Sequence, residues 1–288
     1  MKVLVTGATG YIGSHVCKAL KLKGDYVEGW DINFHGEYND ISEYVDRFEK
    51  VDVTNIPYTY PEFDAVIHLA GRGVVPQSIL EPSDYYRVNT MGTSHILDKV
   101  KTNNFIFAST SSAFEMASPY ARSKVAAEDI IKEKADGHTI FRFFNVSGSD
   151  TVYRQLGSPT HLIRRAAMVA TGKISEIEIY GNDYPTHDGT CIRDYIHVDD
   201  VCDAIVAAAE NGATNTPFEC LGSTKGFSVL DVLTAMREVT GHEIPTTIKG
   251  RRAGDAVSCI VEDLSNLCNI NKSLHDMCLD QYKLEINR

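Results

Sequence analysis

Short apolar runs alternate with longer amphipathic stretches through the first half of the chain. Val3-Leu4-Val5 is a β-branched run that meets a glycine-rich turn and then a stripe formed by Ile12, Val16, Ala19 and Leu20. Apolar positions three and four residues apart predict a helix directly after a strand. Tyr26–Trp30 reads as a second strand ending at Asp31. Asp64–Leu69, Phe105–Ala108 and Thr139–Phe143 are apolar runs of strand length, suited to a sheet covered on both faces. Helical periodicity fills about 85–101 and 120–134 between them. Such alternation predicts right-handed βαβ units and an α/β, doubly wound parallel sheet. After Asn145 the texture changes to loops, with helices expected at about 159–172 and 228–240, the second capped by Ser228. Asp199–Ala208 reads as a further capped amphipathic helix. No internal repeat, low-complexity tract or long linker is seen.

With 288 residues the chain can bury a large core, in one large or two smaller domains. Its 28 basic and 39 acidic residues leave a net charge of −11, which disfavours a nucleic-acid partner. Local arginines can still oppose that sign and take a nucleotide diphosphate. No apolar stretch approaches the roughly 20 residues of a membrane span, and no signal-peptide pattern opens the sequence. Neither a membrane partner nor export is therefore expected. The seven cysteines (17, 191, 202, 220, 259, 268, 278) contain no Cys-x-x-Cys pair, which suits reduced thiols in a cytoplasm. The ten histidines are dispersed as well, and no metal site is expected.

Two local constellations carry chemistry. Gly7, Gly10 and Gly13 stand between the first strand and the first helix. Glycines there let the backbone bend and approach a pyrophosphate, whose charge suits the exposed N–H groups of the helix N-terminus. Asp31, eighteen residues after Gly13, can accept hydrogen bonds from both adenosine ribose hydroxyls and would repel a 2′-phosphate. NAD is expected rather than NADP. The second constellation is Tyr120 with Lys124, four residues apart on one helical face. A free phenol has a pKa of about 10, and a neighbouring cation lowers an acid by roughly 1–3 units. Tyr120 is thereby a candidate base toward a sugar or alcohol hydroxyl.

Together the glycine turn and the Tyr/Lys pair resemble the extended short-chain dehydrogenase/reductase superfamily. Asp52-Val53 is similar to its adenine contact, His68-Leu69-Ala70-Gly71 to its strand end beside the cofactor, and the stretch around Asn89 to its helix motif. Ser109-Thr110 and Arg142-Phe143-Phe144-Asn145 resemble two further elements. Tyr180–Val198 and Arg251-Arg252-Ala253-Gly254-Asp255 narrow the likeness to the UDP-glucose 4-epimerase family, up to about Leu267. The resemblance implies a Rossmann NAD domain over 1–145 plus 196–218, interleaved with a smaller UDP-sugar domain over 146–195 plus 219–288.

It also implies a site. Cofactor contacts fall on Gly7, Gly10, Tyr11, Ile12, Gly13, Asp31, Asn33, Asp52, Val53, Leu69, Ala70, Gly71, Asn89, Tyr120, Lys124 and Phe144. Thr110, Tyr120 and Lys124 are the implied catalytic residues. Substrate contacts fall on Thr110, Tyr120, Asn145, His161, Leu162, Tyr180, Arg193, Arg252, Asp255 and Cys259. In the family Tyr120 as phenolate takes the proton of the sugar 4-hydroxyl while hydride passes to NAD, and the 4-keto sugar turns over before reduction. Arg193 and Arg252 would grip the diphosphate, since guanidinium matches phosphate in two-pronged contacts. A homodimer built on the helices near 85–101 and 120–134 is implied too.

Departures from the family pattern are specific. Only nine residues separate Thr110 from Tyr120, where epimerases carry a longer loop, and Phe114-Glu115 replaces an aromatic-glycine pair. Gly73 stands where relatives often place a lysine near the cofactor phosphates, with Arg72 next to it as a substitute. Cys259 falls where the family carries either a bulky tyrosine or a smaller residue beside the sugar, and its small side chain leaves room for an N-acetyl group and so for UDP-GlcNAc and UDP-GalNAc. Ser111-Ser112 after Thr110 lacks the acid pair of a 4,6-dehydratase. A UDP-glucuronate epimerase or decarboxylase, and a non-catalytic NAD-binding sensor, are the alternatives.

Overall fold

The structure, a computed structural model, describes residues 1–32, 38–150, 152–157, 159–252 and 255–287. In chain order these form β1 (Lys2–Thr6), α1 (Tyr11–Leu22), β2 (Tyr26–Asp31), β3 (Arg47–Lys50), β4 (Ala65–His68), α2 (Val75–Leu80), α3 (Pro82–Tyr85), α4 (Gly92–Lys99), β5 (Phe105–Thr110), α5 (Pro119–Lys134) and β6 (His138–Phe143). There follow β7 (Asn145–Ser147), α6 (Leu162–Ala170), β8 (Ile177–Tyr180), β9 (Ile192–His197), α7 (Val198–Asn211), β10 (Glu219–Leu221), β11 (Gly226–Ser228), α8 (Val229–Thr240), β12 (Thr246–Lys249), β13 (Ser258–Cys259) and α9 (Leu274–Ile286). The chain divides into two compact units, Met1–Phe143 with Cys202–Cys220, and Phe144–Val201 with Leu221–Arg288.

The first unit is built on a sheet in the order β10-β6-β5-β4-β1-β2-β3. Every neighbouring pair from β3 to β6 is parallel. The chain runs outward from β1 through β2 to β3, then returns to lay β4 on the other side of β1. Strand order reverses there, and ligands of such sheets bind beyond the carboxyl ends of the strands at that point. Leu4, Trp30, Val66, Phe105, Phe107 and Ile140 join Ile96 of α4 and Ile131 of α5 in one buried cluster. The helix expected over 85–101 is interrupted: α3 passes into a π-helical turn, Tyr86–Met91, before α4. That turn carries Asn89, which is buried. Single π turns are frequent at functional sites.

In the second unit β9 is the organiser. It pairs antiparallel with β11 and parallel with β13 along its first half, and parallel with β7 along its second. β8 and β12 form a separate parallel pair. Ile163, Ile177, Ile179, Leu233, Met236 and Met277 are among the apolar residues packed between α6, α8 and α9. Ser228 caps α8 as expected and forms a full capping box with Asp231, while Gly241 ends the helix in the left-handed region. No helix of the described residues is long and apolar enough to cross a membrane.

Candidate active site

The first half of the site grows from the turn after β1. Gly7 has φ +69°, and a Cβ there would come within 2.7 Å of the Ala70 nitrogen beyond β4. A Cβ on Gly13 would stand 2.1 Å from the Gly7 carbonyl oxygen. The two strand ends and the start of α1 can meet this closely only with glycine at both positions. Tyr11 and Ile12 open α1 behind the turn. Leu69 donates its N–H to the Thr6 carbonyl at 3.2 Å, and Ala70 donates to the Thr6 hydroxyl at 3.2 Å. Asp31 ends β2 and accepts from the Thr9 N–H at 3.0 Å, which aims its carboxylate at the same turn. Asp52 turns back on Thr54, accepting from its N–H and hydroxyl, and Val53 is buried against Gly92. Asn33 lies outside the described residues.

Asn89 braces this end of the sheet. Its amide oxygen accepts from the Arg72 N–H at 2.8 Å, and its amide nitrogen donates to the Arg72 carbonyl and the Ser123 hydroxyl at 3.0 Å. A Cβ on Gly71 would stand 3.0 Å from Asn89 Oδ1 and 3.1 Å from Lys124 Nζ, so the lysine head occupies the space above that glycine. The Arg72 guanidinium is held by Glu81 at 2.7 Å and Asp84 at 2.8 Å and lies over the Tyr85 ring.

Ser118 caps α5 and Pro119 opens it, which puts Tyr120 in the first turn and Lys124 one turn on. Thr110 is buried at the end of β5, and its side chain acts on Tyr120 by lowering the phenol's pKa. The Thr110 hydroxyl accepts from the Ser112 N–H at 3.2 Å. Tyr85, unnoticed in the sequence as a site residue, meets the Tyr120 ring edge-on at 6.3 Å. Burial raises the Tyr120 pKa, the Thr110 side chain lowers it and Tyr85 raises it. Lys124 Nζ donates to the Ala108 carbonyl at 2.8 Å and sits 4.7 Å from the centroid of the Phe107 ring. Its own pKa is lowered to about 8 by burial, against Glu128, which raises it. The phenol is therefore not yet acidified in this structure: its burial outweighs the help it receives. His68, fully buried between Thr6 and Thr93, is held neutral, with a pKa of about 3 set by burial and by Lys124.

The remaining candidates belong to the second unit. Phe144 is buried and donates its N–H to the Leu221 carbonyl, and the Asn145 amide donates to the Asp194 carbonyl at 2.8 Å. Arg193 on β9 donates to the Ala256 carbonyl at 2.9 Å and stands 3.6 Å from Asp255. Cys259 on β13 is in register with Arg193. Arg252 lies flat on the Tyr180 ring, 3.6 Å from its centroid, and the Tyr180 hydroxyl donates to Glu178. Its neighbour Arg251 is bound to Asp183 and covers Tyr184. His161 precedes α6 and Leu162 is its first residue. Arg193 with Asp255 and Cys259, and Arg252 with Tyr180, are thus two small groups of planar cations and aromatic or acidic partners, suited to a nucleotide diphosphate.

Asp194 shows what sequence reading passed over. Fully buried, it accepts from Ser223 N and Oγ, Thr224 N and Val261 N, and burial raises its pKa against these bonds. It ties the loops flanking Arg193 and Cys259 to β9. His187, Asp188 and Asp231 place one ligand atom each within 4.8 Å of one another. Their carboxylates already serve the α8 start, through Ser228 and Thr190.

A glycine turn at the reversal point of a parallel sheet, an acid ending the second strand and a Tyr/Lys pair on α5 define a dinucleotide-dependent enzyme acting on a hydroxyl. The sequence profile of the NAD dependent epimerase/dehydratase family matches residues 3–220, and the chain belongs to that family. It is 34% identical over 294 residues to the UDP-glucose 4-epimerase of Halalkalibacterium halodurans, covering 90% of this chain and 86% of that one. A UDP-glucose 4-epimerase from Stenotrophomonas maltophila, solved with NAD and formylated UDP-arabinopyranose, superposes with a TM-score of 0.89 at 29% identity, covering 100% of this chain and 98% of that one. The UDP-Glc/GlcNAc 4-epimerase of Campylobacter jejuni superposes with a TM-score of 0.82 at 30% identity, covering 100% and 99%.

Proposed function

We propose that this chain interconverts the 4-epimers of a UDP-hexose, UDP-glucose and UDP-galactose first among them, with NAD as a retained cofactor. The observation that carries the reading is Tyr120 with Lys124 one helical turn away on α5 and the buried Thr110 at the end of β5, in the same unit as the glycine turn and Asp31. NAD fits that unit, because the backbone packs so closely at Gly7 and Gly13 that no Cβ is admitted there, which sets the turn and the start of α1 for a pyrophosphate. Gly7, Gly10, Tyr11, Ile12, Gly13 and Asp31 would hold its adenosine diphosphate half. Asp52 and Val53 would meet its adenine, and Leu69, Ala70, Gly71 and Asn89 would hold the rest with Lys124. When bound, NAD supplies the hydride acceptor and a positive ring.

Tyr120 takes the proton of the sugar 4-hydroxyl as the C4 hydride leaves. Thr110 orients the phenol, and the charge of Lys124 favours the phenolate. After the 4-keto sugar turns, hydride return on its other face and proton return from Tyr120 give the epimer with no net redox change. Arg193 and Arg252 grip the diphosphate, Tyr180 faces the base, and Asp255 with Asn145 engages polar groups of the substrate. Cys259 lines the sugar, and its small side chain supports activity on N-acetylated hexoses as well.

The finer assignments are proposals on the same footing. The protein works as a homodimer through the outer faces of α4 and α5, near which Tyr86 and Met91 are exposed. It works in a cytoplasm, in keeping with seven cysteines not joined by disulfides among the described residues. The deciding experiment is incubation with UDP-galactose, and separately UDP-N-acetylgalactosamine, without added NAD. Isomer formation, lowered about 100- to 10,000-fold in Tyr120→Phe, is expected. Net NADH accumulation would replace this reading with a dehydrogenase.

A further inference from the structure

The stripe of α5 that carries Tyr120 and Lys124 continues to Glu128, another four residues on. Glu128 is fully buried, and its carboxylate is held from three sides. Arg142 donates from Nε to Oε1 at 3.0 Å and from Nη2 to Oε2 at 2.7 Å, a two-pronged contact. Ser109, the residue before Thr110, donates its hydroxyl to Oε1. Lys132 Nζ stands 3.7 Å from Oε2. The Arg142 guanidinium is in turn stacked 3.8 Å from the centroid of the Phe218 ring and 4.8 Å from that of Phe114, and these rings meet edge-on. Phe114 ends the short helical turn that follows Thr110. The buried carboxylate therefore joins the helix bearing the tyrosine and lysine to β6 through Arg142 and to β5, the strand of the threonine, through Ser109, while Arg142 also packs on the turn that follows it.

We propose that Glu128, clamped by Arg142 and Ser109, is a positioning residue for the Tyr120–Lys124 pair: it fixes how α5 lies on the sheet and supplies the buried negative charge that balances Lys124. A buried ion pair is weak evidence for stability in itself, because its desolvation offsets its attraction. Its value here is placement: the carboxylate stands on the α5 stripe itself, while the guanidinium comes from β6. The charged and titratable groups around Lys124 are few. His68 from β4 is neutral, Tyr120 is a neutral phenol, and Glu128 is the carboxylate, with Arg142 and Lys132 bound to it. Ala108, Asn89 and the Phe107 ring add dipoles or a π face from the neighbouring elements. Burial pulls the Lys124 pKa down to about 8, and Glu128 is the group that raises it. Without that carboxylate the ammonium loses its proton at a lower pH.

The inference rests on the epimerase reading for its kinetic arm but not for its binding arm. NAD affinity is measured against pH for the wild type, Glu128→Gln, Glu128→Asp and the apolar double variant Glu128→Met/Arg142→Met. In the wild type the affinity falls as pH rises through about 8, where Lys124 loses its proton. In Glu128→Gln, which leaves the Arg142 cation without its partner, that fall moves to lower pH by about 1 unit; in the double variant, which removes the opposing charge as well, it moves less, while Glu128→Asp keeps the wild-type position. The double variant guards against simple misfolding, since a buried pair replaced by apolar groups generally folds. The alkaline limb of kcat for UDP-hexose isomerisation moves in parallel. A uniform loss of affinity with an unmoved pH profile in Glu128→Gln, the double variant being folded, overturns the proposal and leaves Glu128 a packing residue. If no variant, nor the wild type, isomerises a UDP-hexose, the epimerase reading fails while the NAD titration still decides the role of Glu128.

Discussion

The ammonium of Lys124 donates to the carbonyl oxygen of Ala108 at 2.8 Å from a position almost wholly removed from solvent. A cation held there is costly to the fold. Its pKa lies at about 8 in the folded chain against an ordinary 10.5, so the folded state holds fewer protons between those values. Stability accordingly rises with pH across that window, and the full penalty applies below it. Lys124→Met is expected to gain about 1–3 kcal/mol in urea unfolding at neutral pH and to lose the gain as pH approaches the ordinary lysine value. Isomerase activity should fall at the same time. A less stable Lys124→Met protein would mean that the polar contacts of the ammonium outweigh its desolvation.

Gly13 and Gly10 separate folding from cofactor binding. A Cβ on Gly13 would sit 2.1 Å from the backbone oxygen of Gly7, whereas one on Gly10 would sit 3.1 Å from the same atom. Gly13→Ala is expected to destabilise the chain by about 1–3 kcal/mol, since only a backbone shift relieves the contact. Gly10→Ala should fold almost normally yet lose about tenfold or more in NAD affinity, because its methyl group meets the pyrophosphate instead of the protein. Calorimetry and fluorescence titration of the two variants check the contrast.

What could be read from the sequence follows from how local each signal is. Gly7, Gly10, Gly13 and Asp31 act through a strand, a turn and a helix, and Tyr120 with Lys124 through one helical turn, so spacing alone exposed them. β3 was passed over because Arg47–Lys50 is a polar edge strand with no apolar run. α9 was passed over because Gln281 and Glu285 lie among its buried positions and blur the periodicity. The partners of Glu128 and Asp194 are more distant still. Arg142 is 14 residues from Glu128, and Val261 is 67 residues from Asp194. Such pairings become visible only when the strands are laid side by side.

Gly73 offers a gain of function. A Cβ there would meet open space, and its backbone is outside the left-handed region, so a side chain fits without strain. Arg72 is no substitute for a cation at that place, its guanidinium being bound to Glu81 and Asp84. Gly73→Lys is expected to tighten NAD retention about two- to fivefold, the scale of a partly exposed ion pair, with the gain shrinking as salt rises. The NAD content of purified wild type and variant after repeated gel filtration measures it.

Cys259 tests the breadth of the sugar site. It is half-buried beside Arg193 in the β9–β13 register. Cys259→Tyr is expected to lower kcat/KM for UDP-N-acetylgalactosamine relative to UDP-galactose by about tenfold or more, by filling the volume an acetyl group needs. An unchanged ratio removes this residue from the specificity argument.

Asp194 should govern the second unit without touching the first. Its four bonds include one to Thr224, a β-branched residue at φ +61°, a backbone conformation that costs free energy and persists only where neighbours hold it. Asp194→Ala would leave the N–H groups of Ser223, Thr224 and Val261 without this acceptor inside the protein, at about 3–5 kcal/mol. Asp194→Asn keeps an acceptor on one side only and should cost about 1–3 kcal/mol. Because Arg193 precedes Asp194 and Cys259 lies two residues before Val261, the loosened loops should weaken UDP binding. NAD affinity, set by the glycine turn and Asp31, should stay at the wild-type value. Calorimetric titration of Asp194→Asn with UDP and with NAD reads both. Equal losses for the two ligands would mean that Asp194 supports the whole chain rather than the substrate half alone.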